Sequence, residues 1–243
     1  QVNVLLPESS LGSIVSYNNN NKTMNKVRTY QRWNGIPYKE RSLLKVFNEL
    51  SRIGKENQLN DIIIKDSKGL YTNISSAKIS RGANRIGIIA ACLFYACKIN
   101  KVPRSSKEIA DMFSIKISIM TKGCKKFNEI IQTNKIDIYN INTSDSTNIT
   151  NFIDRFCSKL HIEKNHIDQI KPIINLCNEH NLLNDNTPSA MAAGCIYIYA
   201  KYYKLTISKK KISDICKISE VTINKCSKKL EEYSDILFRH NEL

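Results

Sequence analysis

The chain contains no Cys-x-x-Cys pair, no glycine-rich phosphate loop and no nucleophile elbow, and it is short of acidic residues. Its eight cysteines (Cys92, Cys97, Cys124, Cys157, Cys177, Cys195, Cys216 and Cys226) therefore lack the spacing of a zinc site or a disulfide scaffold. Most of them fall inside apolar helical patterns, where a reduced thiol behaves as a small hydrophobe of an intracellular protein. The four histidines are scattered, and His161 and His166 are five residues apart, so they do not share a helix face as paired zinc ligands at i, i+4 would. No catalytic residue, metal or cofactor is expected within these residues, and the chain reads as a non-enzyme. The longest apolar stretches, Ile86–Tyr95 and Ala190–Ala200, are about half of the roughly 18 residues that span a bilayer. They read as core helices, and no membrane partner is expected.

What is abundant is positive charge: 37 Lys and Arg against 22 Asp and Glu, a formal net charge of +15. It is clustered. Residues 1–45 carry seven bases against two acids, residues 98–126 eight against two, and residues 201–229 nine against two, whereas residues 137–187 carry seven acids against four bases. Clusters of this kind point to a polyanionic partner, because neutralising phosphates releases counterions. At 243 residues the chain has room for two cores of about 100 residues each.

The strongest pattern emerges when the chain is compared with itself at an offset of 103 residues. Gly87–Glu129 then aligns without a gap on Ala190–Glu232, with 13 identities. They include Ala90/Ala193, Cys92/Cys195, Ile109/Ile212, Asp111/Asp214 and Lys125-Lys126/Lys228-Lys229. Each copy reads as three helices. The first, about 83–98 and 188–203, is apolar nearly all round, as a helix enclosed by others must be. The second copy opens on Thr187-Pro188, an N-cap followed by proline at the first helical position. A short helix follows near 106–113, introduced by the capping box Ser105-x-x-Glu108, with its partner near 209–216. The third runs over about 117–131 and 220–233, with Ser219 as an N-cap. Two amphipathic stretches precede each triplet, at about 38–52 and 58–75, then 148–160 and 162–183; Pro172 marks a kink or break in the last. The pattern predicts an all-α protein of two tandem five-helix repeats, 38–132 and 147–235, joined by the Asn/Thr/Ser-rich stretch 133–146. Residues 1–37 are expected to form an extended segment.

At this point the residues resemble a known family. Arg81-Gly82-Ala83-Asn84 followed by Ile89–Cys97, and the string Val102-Pro103-Arg104-Ser105-Ser106-Lys107-Glu108-Ile109, resemble the first cyclin-like repeat of transcription factor IIB. Ser189–Ala193, Ile196-Tyr197 and Val221-Thr222-Ile223 are similar to its second repeat. The resemblance covers about residues 38–235. Leu5–Gly12 and the basic stretch to Lys45 occupy the place of the family's reader and linker. The Lys/Asn/Ile bias is closer to versions carried by large DNA viruses. The resemblance implies a monomeric initiation factor. It would bind TATA-binding protein on promoter DNA, recruit RNA polymerase, and reside in the nucleus or in a viral factory or virion. A zinc ribbon, which the family also has, would lie before Gln1. A cyclin-type kinase regulatory subunit and a polymerase III-type relative remain alternative readings.

The last two helices of each copy have helix-turn-helix spacing, with a turn at Lys217–Ser219, and such motifs place the second helix in the major groove. On 220–233, Ile223, Cys226 and Leu230 form an inward stripe and Val221, Asn224/Lys225 and Lys228 an outward one. Val221, with Thr222 beside it, is placed to meet a thymine methyl, and Asn224 suits adenine. Lys225, Lys228 and Lys229 are phosphate ligands. Where Asn224 stands the family usually has arginine, so a preference other than the family's G/C-rich element is expected. In the first copy, Arg81 with Gly82 occupies a DNA-contacting loop of the family, Lys122, Lys125 and Lys126 are further phosphate candidates, and Lys98, Lys101 and Arg104 form a basic surface for TATA-binding protein.

Overall fold

The computed structural model describes residues 21–35, 38–78, 80–134, 149–183 and 185–238. Among them every regular element is helical: α1 (Lys22–Gly35), α2 (Tyr38–Glu56), α3 (Asp61–Ala77), α4 (Gly82–Ile99), α5 (Ser106–Met112), α6 (Ile117–Asn134), α7 (Thr150–Leu160), α8 (Lys164–Glu179), α9 (Pro188–Tyr202), α10 (Lys209–Cys216), α11 (Glu220–Glu231) and α12 (Ser234–Phe238). The expected all-α fold and both five-helix repeats are present, as α2–α6 and α7–α11. Part of the segment expected to be extended, Lys22–Gly35, is instead helix α1. Asn21 starts it, its side-chain oxygen accepting the Thr23 and Met24 N–H groups at 3.1 Å. Pro172 does not break α8, which runs through it. Thr187 holds the N-cap position of α9 but makes no side-chain cap bond.

The backbone extends the duplication beyond the sequence identities. Left-handed residues recur at the same offset of 103: Gln58 and His161, Lys101 and Lys204, Ser114 and Lys217. Their hydrogen bonds recur too. Leu59 N–H reaches Gly54 O at 2.8 Å and Ile162 N–H reaches Cys157 O at 3.0 Å; Val102 to Cys97 and Leu205 to Ala200 repeat the pattern. These six-to-one bonds, each closing over a left-handed residue, end the helices as glycine usually would.

The chain divides into two compact units, one of Gln1–Ala96 with Ile109–Ile141, the other of Cys97–Glu108 with Asn142–Leu243. In the first, Leu50, Ile53, Ile74, Ile88, Leu93, Met120 and Phe127 are fully buried. α4 is 18 residues long with a mean hydropathy of 1.3, enough on length and composition alone to cross a bilayer. Its apolar residues are interrupted by Asn84, Arg85 and Lys98, and Ile88–Leu93 are core, no more than 3% exposed. α4 meets α6 backbone to backbone. A Cβ on Gly87 would lie 2.7 Å from Ile119 O, and one on Gly123 2.8 Å from Gly87 Cα and closer still to its carbonyl. Arg85 ties three helices together: its guanidinium donates to Tyr71 Oη and to the Ser42 carbonyl, each at 3.0 Å.

In the second unit α9 is the hub, with α7, α8, α10 and α11 packed around it. Tyr199 of α9 is fully buried, its hydroxyl shared between Gln169 and His166 Nδ1, 2.8 Å away. Burial pushes that phenol up to about 12. The cysteines pack as core hydrophobes, seven buried and Cys124 half-buried; desolvation raises Cys157 and Cys216 to about 12.

Candidate nucleic-acid interface

The second unit presents α11 by a short, well-specified turn. α10 is capped by Ser208, whose hydroxyl accepts Lys211 N–H. It ends at left-handed Lys217, φ 58°. The chain re-enters helix at Ser219, whose hydroxyl accepts Thr222 N–H at 3.2 Å. A further bond from Ser213 Oγ to Ile218 O, 2.6 Å, closes the turn. This is the helix-turn-helix expected from the spacing. α11 is held tightly on α9, because a Cβ on Gly194 would come within 2.6 Å of Cys226 Cβ.

That packing sorts the side chains of α11. Ile223, Cys226 and Leu230 are completely buried, as their spacing required, and Ser227 joins them. Val221 is 64% exposed, and Asn224, Lys225, Lys228 and Lys229 are exposed with it. Thr222 differs from the reading. It is half-buried, and its hydroxyl lies 2.8 Å from Ser219 Oγ, so it serves the cap. Lys229 leans toward Asp185 at 3.4 Å, a surface pair that partly neutralises it. The outward stripe is therefore Val221, Asn224, Lys225 and Lys228, one apolar tip, one amide and two cations along about two turns. An amide suits bidentate contact with adenine, and the cations suit phosphates.

The first unit carries the counterpart. α6 buries Met120, Gly123, Phe127 and Ile130 and exposes Ser118, Thr121, Lys122 and Lys125. Lys126 is half-buried and lies off this stripe. Arg81 is exposed directly before α4. Gly82 has φ +57° with nothing within 4 Å of a built Cβ. Glycine is suited to this left-handed backbone, and the open space around it leaves the main chain accessible.

The basic surface expected of Lys98, Lys101 and Arg104 is smaller than anticipated. Lys101 is exposed and Lys98 half-buried, but the Arg104 side chain is only 12% exposed, 3.9 Å from Glu108. Glu108 is the centre of a buried cluster within the second unit. Its carboxylate accepts from Arg155, with the second contact at 3.1 Å, while Arg155 also donates to Pro103 O at 3.0 Å and lies over the Phe156 ring at 4.9 Å. The Ser105/Glu108 capping box is formed as read, with bonds of 2.8 and 3.2 Å. Burial raises the Glu108 pKa, but the Arg155 hydrogen bonds and charge outweigh it and hold the carboxyl below its ordinary value. Arg155 had no local signal in the sequence, since its partners lie about 50 residues upstream. Leu5–Gly12 and the Trp33 side chain lie outside the described residues. Among the described residues no group of three His, Cys, Asp or Glu is placed to hold a metal ion.

Comparison with known proteins agrees with this architecture. The family model described as the transcription factor TFIIB repeat matches residues 39–132 and 142–233. A transcription initiation factor IIB-like protein of Acanthamoeba polyphaga mimivirus is 37% identical over 97% of this chain and 52% of its own length. Transcription initiation factor IIB of Methanopyrus kandleri is 25% identical over 95% of the chain and 75% of its own length. That of Xenopus laevis is 27% identical over 80% and 58%. The chain thus spans little more than half the length of the viral and frog relatives. The higher identity with the viral protein bears out the resemblance to versions carried by large DNA viruses. With two tandem matches covering most of its length, the chain belongs to the TFIIB repeat family of general transcription factors.

Proposed function

We propose that this chain is a non-enzymatic initiation factor that binds double-stranded promoter DNA together with a TATA-binding protein and recruits an RNA polymerase. It acts as a monomer in the nucleus or a viral factory. The observation that carries this reading is the exposed stripe of α11: Val221, Asn224, Lys225 and Lys228 on the capped second helix of a helix-turn-helix. Lys122 and Lys125 on α6, with Arg81, add phosphate ligands in the first unit. Lys98 and Lys101 are the surface offered to TATA-binding protein; Arg104 contributes through its ion cluster. No cofactor is needed for this role within these residues.

The test is an electrophoretic shift on promoter duplex across a salt series, with and without the cognate TATA-binding protein. A ternary complex is expected. Replacing Lys225 and Lys228 together by alanine should weaken binding on all sequences and reduce the log–log salt slope by about 1.8, at roughly 0.9 per phosphate. Absence of a ternary complex at every salt concentration overturns the reading.

A further inference from the structure

The N-terminal end of α2 carries a surface that, Arg81 apart, the proposed duplex contacts do not use. Two clefts of about 370 and 350 Å³ open on either side of it and share Tyr38, Ser42 and Arg85. The larger has an apolar floor of Leu43, Ile74 and Ile88 and a rim of Lys39, Lys78 and Arg81. The smaller is lined by Arg41 and Lys45. No carboxylate lines either cleft.

These cations are not balanced from within. Lys39, Lys45, Lys78 and Arg81 are exposed, and none of them forms an ion pair with a carboxylate among the described residues. The Nε of Arg41 is buried without a hydrogen-bond partner. Arg85 donates to Ser42 and Tyr71, both uncharged, so it fixes the wall between the clefts and adds its own charge to them. Six like charges gathered around two concavities repel one another, and a polyanion relieves that repulsion.

The polyanion's kind follows from Tyr38. Its side chain is 76% exposed at the junction of the two clefts, the most exposed of the chain's large hydrophobic residues that the structure describes. An exposed aromatic ring flanked by cations is how proteins hold unpaired nucleic acid: the base stacks on the ring and the phosphates track the charge. A base inside a stacked duplex cannot enter a cleft, whereas an unpaired base can. Cations on both sides of Tyr38 match a backbone with a charge at every unit. An acidic peptide fits less well, because the walls are helical and offer no strand edge for main-chain pairing.

We propose that the paired clefts at the start of α2 bind single-stranded nucleic acid, with an unpaired base stacked on Tyr38 and successive phosphates held by Lys39, Lys78, Arg81, Arg41 and Lys45. This rests on the reading of the chain as a nucleic-acid-binding initiation factor, but it uses a different surface from α11 and a different form of the strand.

The experiment is fluorescence anisotropy of the full chain with a labelled single strand of about 12 nucleotides, in DNA and RNA forms, containing 2-aminopurine to report stacking. Tyr38→Ala should weaken binding about tenfold and abolish the stacking quench, and Tyr38→Phe should restore both. Lys39→Ala with Lys45→Ala should lower the salt slope by about 1.4, at roughly 0.7 per phosphate on a single strand. All these variants should shift promoter duplex with TATA-binding protein as the wild type does. Whichever form of the strand binds more tightly identifies its source as an opened DNA strand or a transcript. Unchanged single-strand affinity in Tyr38→Ala overturns the proposal, as does equal competition by polyglutamate of the same charge. Loss of duplex binding in the wild type with single-strand binding intact would instead overturn the initiation-factor reading alone.

Discussion

Alanine at Gly123 tests whether α6 is seated on α4 by backbone contact. The added Cβ would lie 2.8 Å from Gly87 Cα and closer to its carbonyl, and no rotamer can relieve a clash between two main chains. α6 must instead move away by roughly an ångström, and a gap of that size forfeits a quarter to a half of each contact across the seam. Met120 and Phe127, both fully buried, cross that seam, and Phe127 stacks on Tyr95 at 4.3 Å. With some 50 contacts of about 0.15 kcal/mol per side chain and a third of them affected, the packing loss is about 2 kcal/mol. Strain adds about 1–3 kcal/mol, and the better helix propensity of alanine returns about 1 kcal/mol. The expected net loss is about 2–4 kcal/mol. Gly69, in the interior of α3 with nothing within 4 Å of a built Cβ, is the internal control. There alanine should stabilise by about 0.5–1 kcal/mol. Urea unfolding followed by circular dichroism reads both, as opposite movements of the midpoint in the transition of the first unit. If Gly123→Ala matches or exceeds the wild type, the backbone seam is not as described.

Three further perturbations follow. Glu108→Gln removes the charge between Arg104 and Arg155 and should cost about 3 kcal/mol at neutral pH, since it leaves buried cations uncompensated. Because the folded-state pKa of Glu108 is depressed, its stabilisation is present above the ordinary carboxylate range and is lost as pH falls through the folded value. The wild type and variant should therefore converge in acid, and a gap independent of pH in a melting series would contradict the cluster. Lys217→Gly relieves a left-handed backbone, φ 58°, and should stabilise the α10–α11 turn by about 0.5 kcal/mol after glycine's own entropy cost; a lower melting temperature would contradict this. Asn224→Arg should shift the preferred base toward guanine in a binding-site selection, and an unchanged preference would remove Asn224 from base contact.

Much of this molecule was legible in one dimension. The 103-residue self-match, the inward stripe of Ile223, Cys226 and Leu230, the Ser105/Glu108 capping box and the Ser219 cap all depend on neighbours within one or two helical turns, so spacing alone reveals them. Gln58 and His161 share a left-handed conformation and a capping bond but no residue identity, and the match therefore went unseen there. Helix α1 was missed because its residues are polar nearly all round and its signal is a single capping asparagine.

Sequence by itself determined the helical periodicity, the duplication and the family, because these follow from residue order and local chemistry. Tertiary structure alone decided which charges remain free. Lys229 looks the same in sequence as Lys228, yet folding brings Asp185 to it from 44 residues upstream, and it brings Arg155 onto Glu108 across 47 residues, separations that residue order does not encode. The same folding leaves Lys39, Lys45, Lys78 and Arg81 without a carboxylate around an exposed Tyr38. Whether a lysine serves the fold or a partner depends on what faces it, and only the packed helices determine that.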